Sequence, residues 1–253
     1  MVKLGIVGKG GVGKTTLSAL IAEAFVRRGN RVVAIDTDSN PNLGMSLGLD
    51  AAAAEAVPVV PRNVSVGPGG GMDGAELLAT YGRATPAGVT LISAMRVDQA
   101  GAGCTCSSHA AVRSMLNDVL DDEADVTIVD MEAGLEHLSR SGGTLAYADV
   151  LLMVMEPSRK SVLTAARTVA LADELGIPRS LAIGNKARDG DEAFFAAACA
   201  EYGVELVAVV PLDAAVAAAD RSGVSVVDTG AEAARAALAG LLDRLEALDL
   251  SRT

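Results

Sequence analysis

Nine residues near the start of the chain, Gly8-Lys9-Gly10-Gly11-Val12-Gly13-Lys14-Thr15-Thr16, leave it few ways to fold. Four glycines within six positions continue neither a strand nor a helix well, so the backbone must turn there. They stand between an apolar, β-branched run at 2–7 and a helical pattern at 14–28, and the path that satisfies both is strand, tight loop, helix. In that context the spacing G-x-x-x-x-G-K-[ST] aims successive backbone N–H groups at an anion held by the positive end of the helix. The N–H groups of Gly8, Gly10, Gly11, Val12, Gly13 and Thr16 suit phosphate oxygens, Lys14 reaches the terminal phosphates, and the Thr15 hydroxyl suits magnesium. The alternative is a glycine turn that only joins strand to helix.

The rest of the chain repeats the opening theme. Short β-branched runs at 31–36, 89–94, 125–130, 149–155, 180–185 and 204–210 read as strands, and helical patterns fill 108–120, 161–175, 192–201 and 231–248. Such alternation predicts an α/β, doubly wound, mostly parallel sheet with helices on both faces. Residues 1–253 read as one domain, interrupted around 51–85 by an irregular insertion rich in alanine, proline and glycine, with one short helix near 76–81. Half of the residues are hydrophobic but only 2% are aromatic, so the core must be aliphatic. A formal net charge of −11, with two of the five lysines inside the glycine loop, argues against nucleic-acid or anionic-membrane partners. No leader or long apolar span is evident, so a cytoplasmic location is expected.

The predicted second strand ends in Asp36-Thr37-Asp38, and the strand at 125–130 ends in Asp130. In a parallel sheet these ends open on the crevice that holds the glycine loop. Asp38 is placed to hold an attacking water, Asp36 to meet the water shell of magnesium, and Asp130 to act as the outer-sphere magnesium carboxylate. The plainer readings are an Asx-type turn over 36–40 and a helix cap at Asp130.

Lys9–Thr16, Asp36-x-Asp38 and Asp130-x-x-Ala133-Gly134 together resemble the deviant-Walker P-loop ATPases, which include the ParA and MinD partition and positioning ATPases. The resemblance implies ATP and ADP as ligands, a homodimer closing around ATP with Lys9 acting across it, Gly134 sensing the γ-phosphate, and Asn185 placed against adenine.

Cys104-Thr105-Cys106 adds a second chemistry. Sulfurs at i and i+2 of an extended segment share one side, and the positive end of the predicted following helix favours thiolates. Two such pairs across a twofold axis would make an S4 site for nickel or zinc. The cysteine pair, with the switch segment from Met131 to Arg140, resembles the CooC-type branch, whose members help insert nickel into carbon monoxide dehydrogenase. That resemblance implies a nickel-enzyme client. Glu132 is an additional carboxylate in the segment, expected to alter loop motion or hydrolysis. His109 is expected to be exposed in the first turn of its helix, and Cys199 to be a small core residue. The competing functional reading is a ParA- or MinD-like positioning ATPase that switches partners without metal. The C-terminal pattern at 231–248 lacks the lysines and the basic face that DNA or membrane binding would need.

Overall fold

The computed structural model describes residues 1–61, 64–67, 71–96, 106–132 and 143–247. In chain order its elements are β1 (Val2–Gly8), α1 (Lys14–Arg27), β2 (Val32–Asp36), α2 (Leu43–Ser46), α3 (Ala51–Glu55), α4 (Gly74–Tyr81), β3 (Arg83–Ala84), β4 (Thr90–Ser93) and α5 (Cys106–Ser114). After a π-helical turn, Met115–Val119, come β5 (Val126–Asp130), β6 (Val150–Met155), α6 (Arg159–Glu174), β7 (Arg179–Ala187), α7 (Asp191–Tyr202), β8 (Leu206–Pro211), α8 (Ala214–Ser222), a 3-10 turn and α9 (Glu232–Glu246).

The strands form one sheet in the order β3-β4-β2-β5-β1-β6-β7-β8. Every pairing is parallel except β3 with β4, so the expected doubly wound architecture is the one found. Strand alternation divides the core in two, because successive side chains point to opposite faces. Leu4, Ile6, Val32, Ala34, Ile128, Leu152 and Ile183 pack under α1 and α9, whereas Val7, Val33, Ile35, Val129, Met153 and Ala182 pack under α5, α6 and α7. Burial on both faces accounts for the continuous apolar runs of β2, β5 and β6.

Lys3 is an exception to the apolar rule in β1, being 2% exposed. Its ammonium donates to Asn117 O at 2.6 Å and pairs with Asp121 at 2.7 Å. The lysine thus gives a partner to a carbonyl of the π-helical turn.

The structure departs from the sequence expectation in the short elements. The alanine run opening the segment 51–85 is not irregular: Asp50 accepts from Ala53 N and caps α3. Asp73 and Glu76 form a reciprocal capping box that starts α4 at Gly74. The edge strand β3 spans two residues, too few to carry a periodic signal. Helix α8 was not expected at all, although Asp213 caps it by accepting from Ala215 N. Among the described residues, no helix is long and apolar enough to cross a membrane.

Candidate active site

Parallel pairing brings the carboxyl ends of β1, β2 and β5 level: Ile6 and Asp36 both stand opposite Asp130. The glycine loop leaves β1 at this edge. Gly8 has φ 151° and a Cβ there would lie 2.4 Å from Val154 O; Gly13 has φ 96° and its Cβ would lie 2.4 Å from Asn185 Nδ2. No side chain caps α1, which starts directly at Lys14. Its first-turn N–H groups have no acceptor within the helix and are available to an anion beside Gly10, Gly11 and Val12.

Lys14 is 8% exposed, and its Nζ donates to Lys9 O at 3.1 Å. Burial lowers the pKa of this ammonium, opposed by the negative charges of Asp130, then Asp38 and Glu132. Lys14 thus lies within the field of three carboxylates, Asp130 acting most strongly.

Beneath it lie two enclosed acids. Burial pushes Asp130 up to about 6, while the hydroxyls of Thr15 and Ser18 favour its ionised form. The Ser18 bond, to Asp130 Oδ1, is 3.0 Å. Burial, and next the charge of Asp130, push Asp36 up to about 7, against the pull of the N–H groups of Asp38 and Leu43. Both of those bonds measure 3.0 Å. Adjacent buried carboxylates beside the Thr15 hydroxyl are hard oxygen donors short of positive charge, a set that fits magnesium.

The loop after β2 does form the turn weighed from sequence, and it also delivers the acids to the site. Asp36 accepts from the N–H two residues on, and Asp38 does the same from Asn40 N at 2.9 Å. Asp38 lines the cleft while Asp36 lies below it, 1% exposed. Thr37, wholly buried between them, donates both N–H and Oγ1 to Asp130 O, at 3.0 and 2.8 Å. Ser39 Oγ donates to Glu132 Oε1 at 3.0 Å.

On the opposite wall, at the end of β7, Asn185 Nδ2 donates to Val12 O at 2.8 Å and Lys186 Nζ to Gly11 O at 2.6 Å. Lys186 has φ 59°, the one positive φ outside glycine among the described residues. Asn185 thus braces the glycine loop as well as lining the cleft.

The cleft itself, about 500 Å³, runs from Gly10, Gly13, Lys14, Thr15 and Thr16 to Val210, Pro211, Leu212 and Val216, with Asp213, Asp220 and Arg221 at the rim. A phosphate end joined to an apolar slot suits a nucleotide. Sequence reasoning missed the slot. Its one signal was Pro211-Leu212-Asp213, a strand stop followed by a helix cap at the same sheet edge.

Cys104 and Gly134 lie outside the described residues, and Cys106 enters as the first backbone position of α5. Against expectation His109, one turn further on, is 4% exposed. Helix α5 packs that part of its first turns toward the interior rather than toward water. Cys199 is buried on α7, and burial raises its thiol pKa. Among the described residues no three His, Cys, Asp or Glu side chains gather into a metal cluster.

Residues 6–226 match the family model of the CobQ/CobB/MinD/ParA nucleotide binding domain. The carbon monoxide dehydrogenase accessory protein CooC of Rhodospirillum rubrum is 35% identical over 261 residues, covering 96% of this chain and 97% of that protein. Among solved structures, the MinD cell division protein of Aquifex aeolicus superposes with a TM-score of 0.70 at 20% identity, over 100% of both chains. The septum site-determining protein MinD of Pyrococcus horikoshii, complexed with Mg-ADP, does so at 0.66 with 22% identity, over 97% of this chain and 96% of that one. These two structures share the fold.

Proposed function

Because the chain belongs to the CobQ/CobB/MinD/ParA nucleotide-binding family and is a CooC-type ATPase within it, we propose that it is an ATP-driven metallochaperone. In this reading residues 1–253 form one cytoplasmic ATPase unit that closes as a homodimer. The dimer carries nickel, or zinc, on the thiolates of Cys104 and Cys106 from both protomers and supplies nickel to carbon monoxide dehydrogenase or a similar client. The observation that carries the proposal is the end-to-end likeness to a carbon monoxide dehydrogenase accessory protein, in a chain that holds Cys-x-Cys.

The geometry of the cleft supports the following nucleotide chemistry. ATP enters with its base in the slot at Val210–Leu212 and its phosphates against the N–H groups of Gly10–Thr16. The Thr15 hydroxyl would hold a magnesium ion, with Asp36 and Asp130 behind its water shell, and the ion would supply positive charge to the phosphate oxygens. Lys14 binds the β- and γ-phosphates, and Lys9 reaches those of the partner. Asp38 accepts a hydrogen bond from a water aligned with the γ-phosphorus. Attack forms the new P–O bond as the bond to the β–γ bridging oxygen breaks, and the electrons remain on ADP. Gly134 senses the γ-phosphate, and phosphate release opens the dimer and exposes the cargo thiolates. Nickel and zinc both suit sulfur donors, and each requires about four ligands, twice what one protomer's Cys-x-Cys offers.

The test is transfer. Protein loaded with nickel is mixed with metal-free carbon monoxide dehydrogenase, and activity is followed with ATP, with ADP and without nucleotide. The reading requires activation that depends on ATP and vanishes in Cys104→Ser/Cys106→Ser. Activation equal to that by free nickel under all three conditions overturns it.

A further inference from the structure

Strand β7 breaks its own alternation near its carboxyl end. Gly184 stands opposite Val209 and Ala187 opposite Pro211, so three steps along β7 match two along β8, and β7 carries one extra residue. The bulge falls at Asn185-Lys186, and Lys186 takes φ 59°, a left-handed conformation that is costly for a residue with a Cβ. In a regular strand neighbouring side chains point to opposite faces. Here both reach the glycine loop, Asn185 Nδ2 donating to Val12 O at 2.8 Å and Lys186 Nζ to Gly11 O at 2.6 Å. Lys186 lies at the surface, yet its ammonium turns to a backbone carbonyl rather than to water.

We infer that Lys186 is a positioning residue for phosphate binding, brought round by the β7 bulge to hold the Gly11–Val12 peptide in the orientation that a phosphate chain needs. The inference rests on the ATPase reading of the cleft. In a trans peptide the carbonyl and the N–H point in opposite directions. Holding Gly11 O toward β7 therefore turns the Val12 N–H away from β7, and holding Val12 O does the same for the Gly13 N–H. Gly11, at φ 79°, and Gly13, at φ 96°, have too much rotational freedom to fix those directions alone. A charged donor on Gly11 O also polarises that peptide and strengthens its N–H toward an anion. The two β7 side chains sit close against the loop: a Cβ on Gly13 would lie 2.4 Å from Asn185 Nδ2 and 4.0 Å from Lys186 Cε. The arrangement exists before any ligand arrives. It favours every ligand that presents a phosphate chain, ATP and ADP alike, and does nothing for one that fills only the apolar slot.

The experiment titrates wild type, Lys186→Met, Lys186→Gly and Lys186→Arg with Mg-ADP, Mg-pyrophosphate and adenosine, after thermal melts establish folding. Lys186→Met keeps the stem and loses the donor, and Lys186→Gly also relieves the left-handed backbone, so the same loss can be read in a chain without that strain. Both variants should weaken Mg-ADP and Mg-pyrophosphate by a similar factor, roughly ten- to thirtyfold, the size of one charge-assisted hydrogen bond, with adenosine within about twofold of wild type. Lys186→Arg keeps a charged donor and should recover most of the loss. If Lys186→Met and Lys186→Gly bind Mg-ADP as tightly as wild type does, the inference is overturned. Adenosine weakened as much as Mg-pyrophosphate also overturns it, because the residue would then support the slot or the fold rather than the phosphates. A wild-type protein that binds neither Mg-ADP nor Mg-pyrophosphate would instead bring down the ATPase reading beneath it.

Discussion

Replacing Ser18 by alanine deletes a hydroxyl that lies wholly buried within α1 and donates to Asp130 Oδ1 at 3.0 Å. No water replaces it at such a site, so the acceptor loses the bond outright. Its value depends on the charge of Asp130: about 1.5–3 kcal/mol to an ionised carboxylate, about 0.5–1.5 kcal/mol to a neutral acid. Burial holds that carboxyl at about 6, so it is ionised at pH 8 and protonated at pH 5. Alanine's better helix propensity returns up to about 0.5 kcal/mol at both pH values and drops out of the difference. The variant should therefore lose about 2 kcal/mol at pH 8 but about 1 kcal/mol or less at pH 5. A gap near 1.4 kcal/mol corresponds to a rise of about one pH unit in the Asp130 titration. For a chain of this length the melting temperature should drop by roughly 4–8 °C at pH 8 and roughly 2–4 °C at pH 5. Urea denaturation of wild type and Ser18→Ala in EDTA at the two pH values reads the gap directly. Equal losses at both, or a larger loss at pH 5, would show that Asp130 does not carry a charge held by Ser18.

Gly13→Ala forces a side chain into φ 96° and to within 2.4 Å of Asn185 Nδ2; it should cost about 2–3 kcal/mol and weaken nucleotide binding more than roughly 100-fold, measured by calorimetry. The raised carboxyls, Asp36 at about 7 and Asp130 at about 6 against 3.8, make the folded chain retain protons that the unfolded chain releases. Their stabilising contribution is therefore complete below about pH 4 and lost as pH rises to about 7. Fluorimetric melts should show Mg-ADP stabilising the protein more at pH 8 than at pH 5, and the opposite order would contradict a magnesium role for these acids. Lys9→Ala should keep ATP affinity within a few-fold, lower phosphate release roughly 100-fold and lose the ATP-induced dimer, as followed by sedimentation.

What the sequence made legible has a physical pattern. The glycine loop, Asp36, Asp38 and Asp130 were found because each sits at the end of an apolar run that local periodicity exposes, and parallel pairing then brings them together. The cross-ties of Thr37 to Asp130 and of Ser39 to Glu132 were invisible, since they depend on strands β2 and β5 being neighbours despite 89 intervening residues between Asp36 and Val126. The base slot depended on α8, where Ala214–Ser222 offers little apolar contrast and only Asp213 announces a helix. The alanine run at 51–55 was passed over for a similar reason: without an apolar stripe, the cap at Asp50 was its remaining signal. His109 misled because a first-turn histidine is usually wet, and its burial is decided by what α5 packs against rather than by its neighbours in sequence.

Central to the account is the link between the ATP dimer and a shared thiolate site. The most direct test is metal content and native mass of the reduced protein, with and without ATP, for wild type and Cys104→Ser/Cys106→Ser. One nickel or zinc ion per wild-type dimer, absent from the variant, is the predicted result. An ATP-induced dimer without metal in either protein would leave the ATPase standing and contradict the metallochaperone.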